Sequence, residues 1–492
     1  MEPRLGLGID VGTQSVKALV LDPDAGRVLG RASAPLSIDR SGGPGSAHQA
    51  PEDWVRAVAS VIPEALRRAD RHGDEVCGLA VSGQQHGLVL LDDEDQVVRP
   101  AKLWCDTSTV VEARELAAEL GRPIPVGYTA SKIRWVGRHE PTNLDRTVCV
   151  LLPHDYLNFR LTGRKSMECG DASGTGFFDA RSRRFDERAM ATIDSRLAGW
   201  LPPLLAPRSA AGNLSDEGAR LTGLRPGLPV ATGSGDNMMS AIGAGADRPG
   251  RLVLSLGTSG TAFARSDVMI EDPDGAVAPF CDALGGHLPL LCVMNMTGVT
   301  QDLVRLFEGA SHEGLTAAAL REESGSAGLT YLAFLDGERV PDLPQATGSL
   351  HGLRVGNLTP GRWYRAAIEG TSATLAAGVD RLRAQGLKTD EVRVVGGGSK
   401  NPLWCRVLAT LLGQPMLRLE ESDSSALGAA IQGVALGLDA SIHGLVDRCV
   451  RIETVTFDPE PAWQSGLDAL RDRADELARR LHGQPLRREE PR

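Results

Sequence analysis

No Gly-x-x-x-x-Gly-Lys-Ser/Thr run occurs in the 492 residues, which excludes a P-loop nucleotide site. Aromatic residues make up only 4% of the chain, and plentiful glycine and alanine suit close-packed α/β layers instead. Acidic residues outnumber basic ones, 63 to 53, giving a formal net charge of −10, and no basic run goes beyond short arginine pairs. Nucleic acid is therefore not expected as a partner, because phosphate backbones demand a basic face. No apolar stretch reaches the roughly 18 residues that a membrane span needs. The first strand-like run starts at Leu5, leaving no room for a secretory signal. A cytoplasmic protein without a membrane partner is the expectation. No Cys-x-x-Cys pair occurs, so neither a zinc site nor a dithiol redox motif is supported, and the eight cysteines read as small buried hydrophobes. At this length two large domains are the default.

What is present begins with a repeated design. Gly8-Ile9-Asp10-Val11-Gly12-Thr13-Gln14-Ser15 and Leu254-Ser255-Leu256-Gly257-Thr258-Ser259-Gly260-Thr261 each carry an apolar run into a glycine-and-hydroxyl turn. A second apolar run follows each turn, predicting two β-hairpins. Glycine lets backbone N–H groups approach a phosphate, and threonine or serine adds donors. Gly12, Thr13 and Gln14 on one tip, and Gly257 and Thr258 on the other, are thus candidate nucleotide contacts. An aspartate stands inside the first copy only; Ser255 or a neighbour takes its place in the second.

The surrounding pattern predicts an α/β chain. Leu5–Leu21 and 27–32 read as consecutive antiparallel strands. Pro51-Glu52-Asp53-Trp54 opens a helix through Ala69, with Trp54, Val58, Val61, Ile62, Ala65 and Leu66 on one face. Cys77–Ser82 reads as a buried strand ending at Gly83-Gln84-Gln85-His86-Gly87. Strands begin again near Leu252, a helix runs from about Arg362 to Ala384, and Val392–Val395 ends in Gly396-Gly397-Gly398-Ser399. A further helix starts near Pro402. Between the halves, Val230-Ala231-Thr232-Gly233-Ser234-Gly235-Asp236-Asn237 reads as a strand ending in a glycine turn with an acid. The stretch Pro202–Pro229 reads as surface connection and short helix, and the tail from Gly483 as frayed. Gly396–Asn401 follows a strand in the manner of a dinucleotide fingerprint. Asn401 stands where Gly or Ala is expected and the run lies late in the chain, so a nucleotide loop is preferred there, with Gly397, Gly398, Ser399 and Asn401 as its members.

Acids at strand ends carry the chemistry. An aspartate in a glycine turn is often a turn-former alone, but Asp10 and Asp236 both follow apolar strands. Two such acids are able to divide the work of phosphoryl transfer, one holding a hydrated Mg²⁺ and one taking a proton from an attacking hydroxyl. Gln85, His86, Trp104 and Asp106 form a polar and aromatic set at loop positions, fit to pair sugar hydroxyls and stack on a sugar face; core packing for Trp104 and a satisfied imidazole for His86 compete with that reading.

These residues, with Leu103-Trp104-Cys105-Asp106, Gly337-Glu338-Arg339-Val340-Pro341 and Ala426-Leu427-Gly428-Ala429-Ala430, mark a chain that resembles the FGGY carbohydrate kinases, and within them the xylulokinase branch. Gly127-x-Thr129-x-x-Lys132-Ile133-x-Trp135-Val136-x-Arg138-His139 meets the first consensus pattern of that family. The resemblance implies two actin-like (ribonuclease-H-like) domains flanking a deep cleft: 1–246, sugar-binding and carrying the base, and 247–485, ATP-binding. It implies Asp236 as catalytic base, Asp10 as the magnesium-side acid, and Gln85, His86, Trp104, Asp106 and Asn237 as the sugar pocket. ATP and Mg²⁺ are the implied cofactors. The implied reaction is phosphorylation of D-xylulose at its terminal hydroxyl, with D-ribulose or a polyol as the alternative acceptor. A homodimer is compatible with the sequence without being read from it. Three departures stand out. Trp104-Cys105-Asp106-Thr107-Ser108 replaces Trp-Asn-Asp-Gly-Arg. His48-Gln49-Ala50-Pro51 replaces Glu-Gln-Asp-Pro and loses a helix cap. The second family pattern is broken at Arg362 and Trp363. Two other classes compete: an actin- or Hsp70-like ATPase, which needs no sugar pocket, and a nicotinamide dehydrogenase resting on Gly396–Gly398 alone.

Overall fold

The computed structural model describes residues 3–272, 274–335 and 337–487. Its backbone forms two large mixed sheets. The first contains β1 (Leu5–Val11), β2 (Ser15–Asp22), β3 (Arg27–Pro35), β4 (Val76–Gly83), β5 (Ala210–Asn213) and β6 (Pro229–Ala231), in the order β5-β6-β4-β1-β2-β3. The second contains β7 (Gly250–Leu256), β8 (Gly260–Ala264), β9 (Val277–Cys281), β10 (His287–Val293), β11 (Thr389–Val395), β12 (Met416–Leu419) and β13 (Ile452–Phe457), in the order β9-β10-β8-β7-β11-β12-β13. Apart from β9, the two orders are the same: a three-stranded antiparallel meander, then two strands parallel to its first, then an antiparallel edge. The repeated hairpins are thus corresponding parts of two copies of one topology. The register is equivalent as well. Asp10 lies opposite Lys17 and Ser82, and Ser255 lies opposite Thr261 and Val395.

Helix α1 (Pro51–Ala69) buries Trp54, Val58, Val61, Ile62, Ala65 and Leu66, the face read from the sequence, against β2 and β3. Its cap residue Ala50 has no side-chain bond to the first turn, as the lost aspartate implies. The other face of β1 and β4 is covered by a helix from far along the chain. After α2 (Asp236–Gly243), α3 (Pro360–Ala384) and α4 (Pro402–Leu412) comes α5 (Ser424–Gly437), which packs on β1, β4 and α2. The approach is backbone to backbone. A Cβ on Gly8 would collide with the Ala426 carbonyl, and one on Gly428 with the Met239 carbonyl. The Ala-Leu-Gly-Ala-Ala motif is therefore a packing surface.

That helix changes the division of the chain. One compact unit comprises Met1–Asp247, Phe280–His287 and Asp423–Val450; the other comprises Arg248–Pro279, Leu288–Ser422 and Arg451–Arg492. A single cut into 1–246 and 247–485 differs from this partition by the two returning segments, Phe280–His287 and Asp423–Val450. Two expectations are corrected. Pro202–Pro229 contains β5, an edge strand of the first sheet paired with β6, besides a short helix at Asp216–Thr222. The tail is ordered as far as Arg487: Leu486 is buried and Arg487 pairs with Asp472 and Asp475. Residues 488–492 of the expected frayed tail lie outside the described residues.

The break in the second family pattern has a local explanation. Arg362 on α3 pairs with Glu322, its Nε 2.9 Å from Oε2, and Trp363 meets Phe307 edge-on at 5.8 Å. One turn on, Arg365 and Glu369 form a fully buried ion pair at 2.7 Å. Among the described residues no helix is long and apolar enough to cross a membrane.

Candidate active site

β1 and β4 run parallel and end together, which brings their carboxyl-terminal loops side by side. Asp10 sits one residue before the end of β1. Its Oδ1 accepts a hydrogen bond from Ser82 Oγ on β4 at 2.9 Å. Burial pushes the Asp10 carboxyl up to about 6, and Asp423 adds to the rise, while Lys17 and Ser82 oppose it. Lys17 is itself held by Asp423 at 2.6 Å. Asp236 opens α2, preceded by Ser234-Gly235, which pairs with the end of β4. Burial, then the charges of Asp10 and Asp171, push Asp236 up to about 7, against the hydrogen bonds from Asn237. Two half-buried carboxylates that repel each other stand at the adjoining ends of one sheet.

The remaining first-unit residues gather around this pair. Asn237 Nδ2 donates to Asp236 Oδ1 at 3.0 Å and to Gln85 Oε1 at 3.1 Å. Those bonds fix the Gln85 amide, whose Nε2 is buried and makes no bond to protein. A buried donor of this kind costs about 1–3 kcal/mol unless something accepts from it. His86 adopts a left-handed backbone at φ 64°. Its ring packs on Tyr128 at 4.6 Å and on Phe280 at 5.9 Å, and a side chain at Gly174 would strike it. Trp104 is half-buried, with Nε1 donating to Thr13 Oγ1 at 2.8 Å.

Asp106 stands apart from this set in kind. Its Oδ2 accepts from the Ala47 amide at 2.9 Å and from Lys102 at 3.1 Å, with His48 at 3.3 Å. Its Oδ1 accepts from the Ser108 amide at 3.1 Å and its hydroxyl at 2.5 Å. Although the group is fully buried, those bonds and Lys102 hold its carboxyl well below the usual range. Every lone pair serves the protein, so Asp106 fixes the Trp104 loop.

Sequence reasoning passed over several neighbours. Lys132, fully buried, donates to the carbonyls of His86 at 2.6 Å and Gly127 at 2.5 Å. Burial lowers it to about 7. A lysine so placed clamps the His86 backbone, and its position inside the family pattern was the available signal. Beneath Asp236 lies a buried cluster in which Asp171 Oδ2 meets His154 Nδ1 at 2.7 Å and Glu168 accepts from Ser234 Oγ at 2.7 Å. No spacing in the sequence marks that cluster.

The second unit carries the other glycine loops. Carbonyls of Gly257 and Thr258 accept from the amides of Thr297 and Met296, both at 3.0 Å, so the β7–β8 tip is pinned. Gly396 is left-handed at φ 85°, and a Cβ on Gly398 would lie 2.7 Å from Leu256 Cβ. Gly397 has open space around it. Ser399 closes its own turn, Oγ to the Gly396 carbonyl at 2.7 Å. Asn401 caps α4: Oδ1 accepts from the Leu403 and Trp404 amides at 3.0 and 3.3 Å, and Nδ2 donates to Thr316 at 2.9 Å. Its amide is spent on the fold. The signal for that was Asn directly before Pro402.

Among the described residues no group of three or more His, Cys, Asp or Glu side chains is set to hold a metal. Asp10 fits a different habit, that of Mg²⁺, which takes one or two carboxylates and completes its shell with water and phosphate oxygens. With Oδ1 taken by Ser82, its Oδ2 is a hard oxygen donor that suits such a cation.

Residues 5–243 match the model of the FGGY family of carbohydrate kinases, N-terminal domain, and residues 252–436 match that of its C-terminal domain. A xylulose kinase of Haemophilus influenzae is 36% identical over 463 residues, covering 91% of this chain and 94% of that protein. A xylulose kinase of Streptomyces coelicolor is 39% identical over 453 residues, covering 89% and 90%. Among solved structures, a xyloylose kinase from Brucella ovis superposes with a TM-score of 0.89 at 33% identity, covering 97% of this chain and 99% of that one.

Proposed function

The chain belongs to the FGGY family of carbohydrate kinases, and from that premise we propose that it transfers the γ-phosphoryl group of ATP to the terminal hydroxyl of D-xylulose, giving D-xylulose 5-phosphate. One observation carries the reading: Asp236 adjoins Asn237 and Gln85, and the buried Gln85 Nε2 offers a donor that the protein leaves unused. A site built this way binds a hydroxylated ligand and rejects one lacking the hydroxyl, since its own polar group is then unsatisfied. The xylulose kinases to which the chain is similar supply the choice of sugar.

Asp236 is the general base. It accepts the proton of the attacking hydroxyl, and an acidity near neutrality is where a base combines availability with driving force. Asn237 orients its carboxylate from the neighbouring position. Asp10 holds the cation side, steadied by Ser82. Mg²⁺, when bound with ATP, neutralises charge on the phosphate oxygens. Trp104 offers a flat face to the sugar, and Gln85 and His86 address its hydroxyls. Backbone at Gly257–Thr258 and Gly396–Gly398 receives phosphate, Gly397 having the room. Dependence on ATP agrees with a cytoplasmic location.

The test is ADP release with Mg²⁺, ATP and a panel of D-xylulose, D-ribulose, L-ribulose and glycerol. D-Xylulose is expected to give the highest kcat/KM. A clear preference for a ribulose or glycerol overturns the sugar and leaves the kinase class standing. Equal ADP release without sugar overturns the kinase reading.

A further inference from the structure

We infer that the side chain of Thr13 serves the sugar side of the site, as the positioning residue that fixes the Trp104 indole, and makes no contact with phosphate. The inference rests on Trp104 lining the sugar site.

Two indoles decide the polarity of the hydroxyl and amides around Thr13. An indole N–H only donates. Trp54 Nε1 lies 2.9 Å from Gln49 Oε1, so that atom is the acceptor end of the Gln49 amide. The other end, Gln49 Nε2, then donates to the Thr13 carbonyl at 2.7 Å and the Ser37 carbonyl at 3.3 Å, both acceptors only, as the assignment requires. Gln84 Nε2 donates to the same Gln49 Oε1 at 3.0 Å. Gln84 Oε1 therefore faces Thr13 Oγ1, 3.0 Å away, and must accept. The single proton of the Thr13 hydroxyl is committed to Gln84. Its oxygen meanwhile accepts from the second indole, Trp104 Nε1, at 2.8 Å.

A hydroxyl donates once. With that proton spent inside the protein, the Thr13 side chain has none for a phosphate oxygen, and an acceptor lone pair facing an anion repels it. Gln49 and Gln84 are almost wholly buried, at 2% and 1% exposure, so the arrangement is not a surface accident. Gln49 holds the Thr13 carbonyl while Gln84 holds its hydroxyl, so the hairpin tip is rigid where Trp104 leans on it.

The experiment is steady-state kinetics with D-xylulose and with ATP on Thr13→Val, Thr13→Ser, Trp104→Phe and the double variant Thr13→Val/Trp104→Phe. Valine keeps the shape and strands the indole N–H and the Gln84 carbonyl. KM for D-xylulose should rise roughly tenfold, with KM for ATP changed less than about twofold. Thr13→Ser should restore most of the loss. Thr13 acting through Trp104 makes the double variant no worse than the poorer single one. A Thr13→Val effect on KM for ATP rather than sugar overturns the inference, as does full additivity. If Trp104→Phe leaves the sugar KM unchanged, the sugar-site reading of Trp104 fails; if it raises that KM and Thr13→Val does not, only the present inference fails. Should Thr13→Val not fold, Trp104→Phe decides alone: a rise in both KM values overturns the inference, and a rise for sugar only supports it.

Discussion

Asp10 and Asp236 are held near neutrality chiefly by burial, the direction expected when a carboxylate leaves water without an ion pair of its own. For Asp236 the nearby charges of Asp10 and Asp171 add to the cost. The consequence for stability has a definite sign. Asp236 is raised from 3.8 to about 7, so between those values the folded chain binds protons that the unfolded chain has released. Its contribution to stability is fully present below 3.8 and is lost as pH rises through about 7. Two outcomes follow for Asp236→Asn. As the proposed base is removed, kcat should fall by about 10²–10⁴-fold, with the ascending limb of the wild-type kcat/KM profile near neutrality abolished. Meanwhile Tm at pH 8 should rise by about 3 °C, and at pH 4 hardly at all, because the amide removes a charge that the fold tolerates poorly. Stopped-time ADP assays and calorimetry at the two pH values check both. A variant with near wild-type kcat removes Asp236 from the mechanism, and a Tm that falls at pH 8 removes the electrostatic account.

Elements show where the chain departs from its family without harm. Ala50 caps α1 with an extended backbone, φ −76° and ψ 122°, yet brings no acceptor to the first turn, and it is exposed. Ala50→Asp should therefore add about 1 kcal/mol of stability, since the geometry is ready and the N-terminal dipole favours the charge, although Glu52 and Asp53 already occupy that turn. A urea midpoint that increases with unchanged slope is the expected observation. An unmoved midpoint would mean that the existing acids have saturated the helix end. At α3, by contrast, the departure is compensated already: Arg362 has Glu322 and Trp363 has Phe307, so restoring the family residues there has no such gain to collect.

At the level of the whole molecule, the first unit is completed by chain that follows most of the second. α5 comes after residue 423 and seals β1 and β4 through the glycines at 6, 8 and 78. A fragment ending at residue 246 lacks that cover and exposes an apolar sheet face of a size that folded monomers rarely show. It is expected to bind a hydrophobic dye and to melt without a cooperative transition, whereas the full chain melts cooperatively. A sharp thermal transition for the fragment, with dye binding no greater than the full chain's, would contradict this dependence on α5.

The residue order alone was enough for the two hairpins, the span of α1, the buried β4 and the two acids, because those follow from period, glycine turns and apolar runs within ten or twenty residues. Family membership was legible too, in motifs spread over nearly the full length. What the order of residues could not reveal was how the polar groups would be spent. Asp106 took its partners from Ala47 and Lys102, Asn401 from Thr316 and its own helix, and Thr13 from Gln84 and Trp104. The sequence pattern alone presents each as a ligand contact. A side chain has few lone pairs and fewer protons, and only the folded chain decides whether protein or substrate receives them. The same holds for the domain boundary. A helix from the second half joins the first unit because glycines remote in sequence let two backbones touch, and that fit exists only in three dimensions.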